Sequence, residues 1–217
     1  MNLAPFWFSL EAATLATLLT VVTGLPVAWL LGRRRFPGHG LLETAVVLPL
    51  VLPPTVLGYY MLVLIAQATP LGAWLDRAGI TLQFTWQAAV LAAWLGAFGL
   101  FVRAAQSGFE LVDAGLEDAA RTLGRSEWSV FWSVTLPLGS RAVLAGTMVA
   151  FCRAIGDLGI TLLVAGSLPV QTQSMPLVFG GHGSPLQLDL ANQLLLLTLG
   201  LVAVLLFFVG RLARVRR

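Results

Sequence analysis

Arg153 and Asp157 stand four residues apart in a stretch that is otherwise almost wholly apolar, so a helix puts both charges on one face. An ionisable group in the middle of such a stretch costs ~2.5–3.5 kcal/mol on insertion scales, which makes function the default reading. The chemistry open to the pair is narrow. As an i,i+4 ion pair it locks helix packing or supports a gate. Arg153 alone attracts an anion, but Asp157 repels an oxyanion, so packing or gate support outranks direct contact with a substrate. A second group of charges, Asp113, Glu117 and Asp118 beside Arg121, lies in a separate polar segment. Carboxylates gathered at helix ends can hold Mg²⁺ for a membrane-embedded transferase, or they can face a protein partner. Other chemistries lack their residues. The chain has no lysine, hence no G-x-x-x-x-G-K-[ST] cradle for ATP. It has no Ser-His-acid set and no Cys/His cluster. His182 among glycines has no companion ligands, His39 beside Pro37-Gly38 reads as a solvated loop residue, and the single Cys152 as packing.

The elements that position these groups follow from composition. Of 217 residues 58% are hydrophobic and 11% charged, with a clearly positive mean hydropathy. A soluble domain of this size cannot hide so much apolar surface, which makes the bilayer the solvent. Apolar stretches near the ~20 residues that cross a bilayer fall at about Leu10–Leu31, Thr44–Ala66, Phe84–Ala105, Arg141–Ala165 and Leu190–Leu212. Arg33-Arg34-Arg35 with Pro37-Gly38, Thr69-Pro70-Leu71-Gly72 and Gly180-Gly181-His182-Gly183-Ser184-Pro185 punctuate them. The expected architecture is an all-α polytopic membrane protein of about five spans, a single domain over residues 1–217. All thirteen basic residues are arginine. If the spans alternate, Arg33 to Arg35, Arg103, Arg121, Arg125, Arg141, Arg211, Arg214, Arg216 and Arg217 share one side, with Arg77 opposite. The positive-inside rule then puts the N-terminus outside and the C-terminus in the cytoplasm. A net charge of +3 serves topology and anionic lipid rather than nucleic acid. The first apolar stretch has no basic n-region and no clear small-residue cleavage site, so it reads as a retained span.

With that topology the polar insert from Gln106 to Ser140 is cytoplasmic. It is too long for a turn and too short for a domain with its own core, so a partner is expected to cover it. Val112, Leu116, Ala119, Ala120 and Leu123 follow helical spacing, with Asp113 as N-cap and Glu117 in the first turn. Gly124 ends that helix and Ser126 caps a second, which would show Trp128, Phe131 and Trp132 on its surface until Leu136-Pro137 stops it. An amphipathic pair lying on lipid headgroups has the same pattern. The acidic residues Glu110, Asp113, Glu117, Asp118 and Glu127 tilt the choice towards a protein. In the second stretch, Pro49, Pro53 and Pro54 break the hydrogen-bond ladder, tolerable only where protein or a water-filled path satisfies the freed carbonyls. Thr55 adds a hydroxyl there. The outer segment from Gly166 to Pro185, with Ser167, Thr172, Ser174 and His182, is a candidate outward gate.

Asp118-Ala119-Ala120, three residues, Gly124, nine residues, then Val134-x-Leu136-Pro137 resembles the EAA loop of permease subunits of binding-protein-dependent ABC importers. That loop reads Glu-Ala-Ala, then glycine, then Ile-x-Leu-Pro at the same spacings. Asp118 replaces the glutamate, with Glu117 just ahead of it, and Val134 replaces isoleucine. The resemblance extends over most of the chain to the molybdate permease subgroup. It is carried by the proline-rich run Leu48 to Tyr59, by Gly79-Ile-Thr with Ala88 to Ala92, and by Phe151 to Gly159. The last is similar to Phe-Ala-Arg-x-x-Gly-Glu-Phe-Gly, with Asp157 and Leu158 in place of Glu and Phe. Tungstate and sulfate/thiosulfate permeases are close relatives of that subgroup.

The resemblance implies a type I ABC importer permease fold in a bacterial or archaeal plasma membrane, the inner membrane in a Gram-negative cell. It implies a homodimer, two cytoplasmic ATP-binding subunits and an extracytoplasmic anion-binding protein, with ATP and Mg on the partner subunit and no cofactor on this non-catalytic chain. Glu117, Asp118, Ala119, Ala120, Gly124, Leu136 and Pro137 would then couple to the ATPase. Pro49, Pro53, Pro54, Thr55, Arg153, Gly156, Asp157 and Gly159 would line the path or its gate.

Overall fold

A computed structural model describes residues 4–66, 68–79, 82–157, 159–166 and 185–213. Among these residues every regular element is helical: α1 (Ala4–Arg33), α2 (His39–Val51), α3 (Pro54–Leu64), α4 (Pro70–Arg77), α5 (Trp86–Glu110), α6 (Ala114–Thr122), α7 (Glu127–Val130), a π-helical turn (Phe131–Thr135), α8 (Leu136–Ile155), α9 (Gly159–Val164) and α10 (Pro185–Ala213). By length and composition, three helices can cross a membrane: Phe6–Arg33, Trp86–Glu110 and the continuous rod Glu127–Ile155. The α2–α3 pair counts as a fourth span if taken together. The outer segment with Ser167, Thr172, Ser174 and His182, and Arg214, Arg216 and Arg217, lie outside the described residues.

α5 is the central rod, packed between α1 and α8. Its inner stripe of Ala88, Ala89, Ala92, Ala93, Gly96, Ala97 and Ala105 is buried. Small residues let backbones approach, which is what holds helices together where lipid is as apolar as the side chains. A Cβ on Gly139 of α8 would lie 2.7 Å from Cδ1 of Phe109, closer than any real contact. On α1, Thr14, Thr17, Thr20 and Thr23 each donate to the carbonyl four residues back. None of these four hydroxyls is thereby left unpaired in an apolar setting.

Three expectations from the sequence are corrected. The insert is shorter than Gln106–Ser140, because α5 runs on to Glu110 and the rod into α8 starts at Glu127. Leu136-Pro137 does not stop a helix. The chain passes through them, since the turn before them is widened: Leu136 N–H reaches the Phe131 carbonyl, five residues back. That wider turn relieves the clash a proline ring makes with the carbonyl four residues earlier. Phe131 is not on the surface; at 6% exposure it sits among Trp29, Phe109, Trp128 and Trp132.

The second and fourth stretches are broken. α2 and α3 are bent by 115° at Leu52-Pro53, where prolines 53 and 54 supply no backbone donors. α8 ends at Ile155, capped by Gly156, and α9 starts at Gly159. The two breaks belong to one assembly, for α3 packs on α9. A Cβ on Gly58 would lie 3.1 Å from the Ile160 Cα.

Candidate functional site

The polar segment between α5 and α8 is built from local caps. Asp113 Oδ1 accepts the Gly115 N–H at 2.9 Å and starts α6. Gly124 follows α6 with φ +79° and nothing within 4 Å of where its Cβ would be, so a left-handed residue is needed there for conformation and not for space. Ser126 then accepts the Ser129 N–H and starts α7.

The face that α6 turns inward is the polar one. Glu117 is 3% exposed. Its Oε2 accepts from Arg33 Nη2 at 2.6 Å and from Arg121 Nη2 at 3.2 Å, and its Oε1 from Thr135 Oγ1 at 2.6 Å. Arg33, the last residue of α1, also donates through Nη1 to the carbonyls of Val112 at 3.0 Å and Phe109 at 3.4 Å. Those carbonyls lie at and just past the end of α5, where a cation also suits the helix dipole. One guanidinium therefore joins the ends of α1 and α5 to α6. Outside it, Arg121 pairs with Asp118 at 2.6 Å and Glu127 at 2.9 Å. Arg34 pairs with Glu127 at 2.6 Å and lies over the Trp29 ring.

Burial alone would raise the Glu117 carboxyl, but hydrogen bonds from Arg33 and Thr135 and the charge of Arg33 outweigh it and lower it from the ordinary carboxylate value. The Arg121 guanidinium is raised by its hydrogen bonds to Glu127 and Asp118.

The outward face of α6 is apolar, the reverse of a helix lying on its own protein. Leu116 is 50% and Leu123 83% exposed, and Ala119 is exposed between them. Asp118 stands at the rim. Leu111, Trp128 and Trp132 are exposed nearby, and an open groove of about 770 Å³ runs from Leu111, Asp113 and Leu116 to Leu138 and Arg141. Val112 alone of the expected stripe is buried. Leu136 and Pro137 are on the adjoining rod, Pro137 on the groove wall. The carboxylates open to a metal-binding reading are committed otherwise: Asp113 to a cap, Glu117 to Arg33 and Thr135, Asp118 to Arg121. Sequence reasoning used Arg33 only for topology and passed over Thr135; the buried carboxylate at Glu117 is the one signal that called for a cation and a donor.

At the far end of the rod, Asp157 (side chain 1% exposed) accepts Arg153 Nη1 at 2.9 Å through Oδ1. Its Oδ2 accepts the Thr161 hydroxyl at 2.8 Å and the Thr161 N–H at 3.1 Å. The carboxylate thus clasps α8 to α9 across the break at Gly156. Pro53, Pro54, Thr55 and Gly156 are exposed and Pro49 half-buried; Gly159 opens α9. The broken-helix residues form one group and the α6 residues another, at opposite ends of a 29-residue rod, some ~40 Å apart at 1.5 Å per residue.

A model of the family "Binding-protein-dependent transport system inner membrane component" matches residues 24–215. The chain is 44% identical to the molybdenum transport system permease protein ModB of Escherichia coli K12, over 77% of this chain and 74% of that one. It is 39% identical to ModB of Haemophilus influenzae, over 82% and 78%, and 34% to the E. coli sulfate transport system permease protein CysT, over 78% and 61%. In structure it is similar to the inward-facing MetNI methionine ABC transporter, with a TM-score of 0.71 at 19% identity, covering 97% of this chain and 95% of that one. A multi-pass membrane protein by its helices, this chain belongs to the family of inner membrane components of binding-protein-dependent transport systems.

Proposed function

We propose that this chain is the membrane-spanning permease subunit of an ATP-driven molybdate importer. Two copies form the path along their interface. Each rests on one cytoplasmic ATP-binding subunit, and an extracytoplasmic anion-binding protein delivers the oxyanion. ATP and Mg²⁺ act on the partner subunit, and hydrolysis is that subunit's work. The observation that carries the reading is α6, a helix tethered by its charged face with Leu116, Ala119 and Leu123 turned outward. A short apolar helix so presented fits a groove in another protein. Arg121 and Asp118 at its rim supply register. The family supports the transporter class, and the similarity to ModB over most of both chains supports molybdate.

The broken helices supply the moving part. α3 and α9 are short and packed together, and the bend exposes Pro53, Pro54 and Thr55. Non-helical backbone at membrane depth is tolerated where it lines a cavity. The Arg153–Asp157 clasp supports that gate. An anion held by Arg153 would have to displace a bond already made to Asp157.

The test is uptake of radiolabelled molybdate into vesicles holding the chain with its ATP-binding subunit, with the anion-binding protein outside and ATP inside. Accumulation that needs ATP and is blocked by vanadate is expected, with excess sulfate a poor competitor. No accumulation refutes the reading. Equal preference for sulfate reassigns the anion, as the similarity to CysT would allow.

A further inference from the structure

Three routes connect α6 to the rod that runs through the membrane. The covalent one passes through Leu123, Gly124 and Arg125. Gly124 has φ +79° and an empty surround, so this route is compliant. A second is the Arg121–Glu127 ion pair, half-exposed and set at the first residue of the rod, ahead of the π turn, where such a pair is worth little. The third is the Glu117 carboxylate, whose Oε1 takes the Thr135 hydroxyl at 2.6 Å, with both side chains buried. Thr135 is the last residue of the π-helical turn, directly ahead of Leu136 and Pro137. A π turn followed by a proline without an N–H is a place where a helix bends. Arg33 holds the other oxygen of Glu117 and is itself fixed to the ends of α1 and α5.

From this geometry, and resting on the proposed function, we infer that Thr135 is the strut of the transport cycle. Displacement of α6 by the ATP-binding subunit reaches α8 through the Thr135–Glu117 hydrogen bond, at the one turn of the rod able to pivot. Thr135 is a positioning residue, since it touches neither substrate nor nucleotide. Arg33 sets the direction of motion, because it keeps Glu117 over the α1–α5 ends while the π turn yields. The bond is strong for one between side chains, as its acceptor is a buried carboxylate. A soft turn bypassed by a stiff buried contact converts a local push into tilting of the rod. Without that contact the push is taken up at Gly124 and at the exposed Arg121–Glu127 pair, which grips the rod only ahead of its π turn.

The test is the ratio of molybdate transported to ATP hydrolysed by the vesicle-embedded complex. Thr135→Val keeps the shape and removes the donor. The ratio is expected to fall about tenfold, the order of losing one hydrogen bond to a charged group, while hydrolysis continues on the docked ATPase. Thr135→Ser restores the donor and is expected to restore the ratio. An unchanged ratio in Thr135→Val overturns the strut, as does a loss that serine does not rescue. Should the valine variant fail to assemble, Thr135→Ala, which also removes the donor, is read by the same ratio, and an unchanged value overturns the inference. A wild-type complex that hydrolyses ATP but moves no molybdate overturns the proposed function instead, and the strut with it.

Discussion

Arg33→Ala tests the hub on which α6 hangs. The Arg33 side chain is 11% exposed and its partner Glu117 3%. Removing one member of a buried ion pair costs ~3–5 kcal/mol, because the other charge is left uncompensated. Arg121 remains at 3.2 Å from the carboxylate, but its side chain is 35% exposed, and half-exposed pairs recover only ~0–1 kcal/mol. The Thr135 hydroxyl also remains. The Phe109 carbonyl keeps the Val112 N–H as a donor, and the donor lost at the Val112 carbonyl adds to the penalty rather than offsetting it. The net is about 3 kcal/mol, roughly 150-fold in the equilibrium that frees α6, at ~1.4 kcal/mol per tenfold.

Hydrogen exchange of the α6 amides in nanodisc-embedded permease reads that equilibrium, because exchange there proceeds by local opening. Exchange over Leu116 to Leu123 should quicken by about two orders of magnitude while the α5 core keeps its protection. Arg33→Met with Glu117→Gln should cost less than Arg33→Ala alone, since no buried charge is stranded. The pH dependence separates the variants further. In the wild type the Glu117 pKa is lowered; its stabilisation is complete above the unfolded carboxylate value and is lost as pH falls through the folded one. Without Arg33 the lowering that its hydrogen bond and charge supply is gone, so the loss of α6 protection on acidification should shrink. Unchanged protection in Arg33→Ala, or an equal pH dependence in both proteins, would show that Arg33 is not the hub.

Leu123→Glu changes a side chain that is 83% exposed; thermal stability of the isolated permease should hold within ~0.5 kcal/mol, while co-purification with the ATP-binding subunit fails. Arg153→Ala leaves the buried Asp157 with Thr161 alone and should cost ~3–5 kcal/mol by thermal unfolding. The molybdate-to-sulfate uptake ratio should not change, and a switch in that ratio would make Arg153 an anion ligand. Gly139→Ala meets Phe109 at 2.7 Å and should destabilise the α5–α8 contact by ~1–3 kcal/mol through overpacking, seen as a lower melting temperature with the secondary structure intact. Gly124→Pro places a fixed φ near −65° where +79° is needed and should abolish uptake; normal transport in this variant would refute docking through α6.

What the residues settled alone is local or collective along the chain. Hydropathy located the apolar stretches, because a bilayer demands a run of a set length whatever the neighbours. Asp113, Gly124 and Ser126 announced a helix, a left-handed turn and a second start, since caps and turns are decided within a few residues. The Asp118 to Pro137 spacing carried the family resemblance for the same reason. Tertiary packing decided what periodicity leaves open, namely which way a face points. The same spacing that groups Leu116, Ala119 and Leu123 would serve a helix packed inward; it is Arg33, arriving from another helix, that turns Glu117 in and the leucines out. Phe131 is buried because Trp29 and Phe109 close around it. Pro137 continues a helix because the turn before it widened, and neither the partners nor that adjustment is encoded at the residue itself.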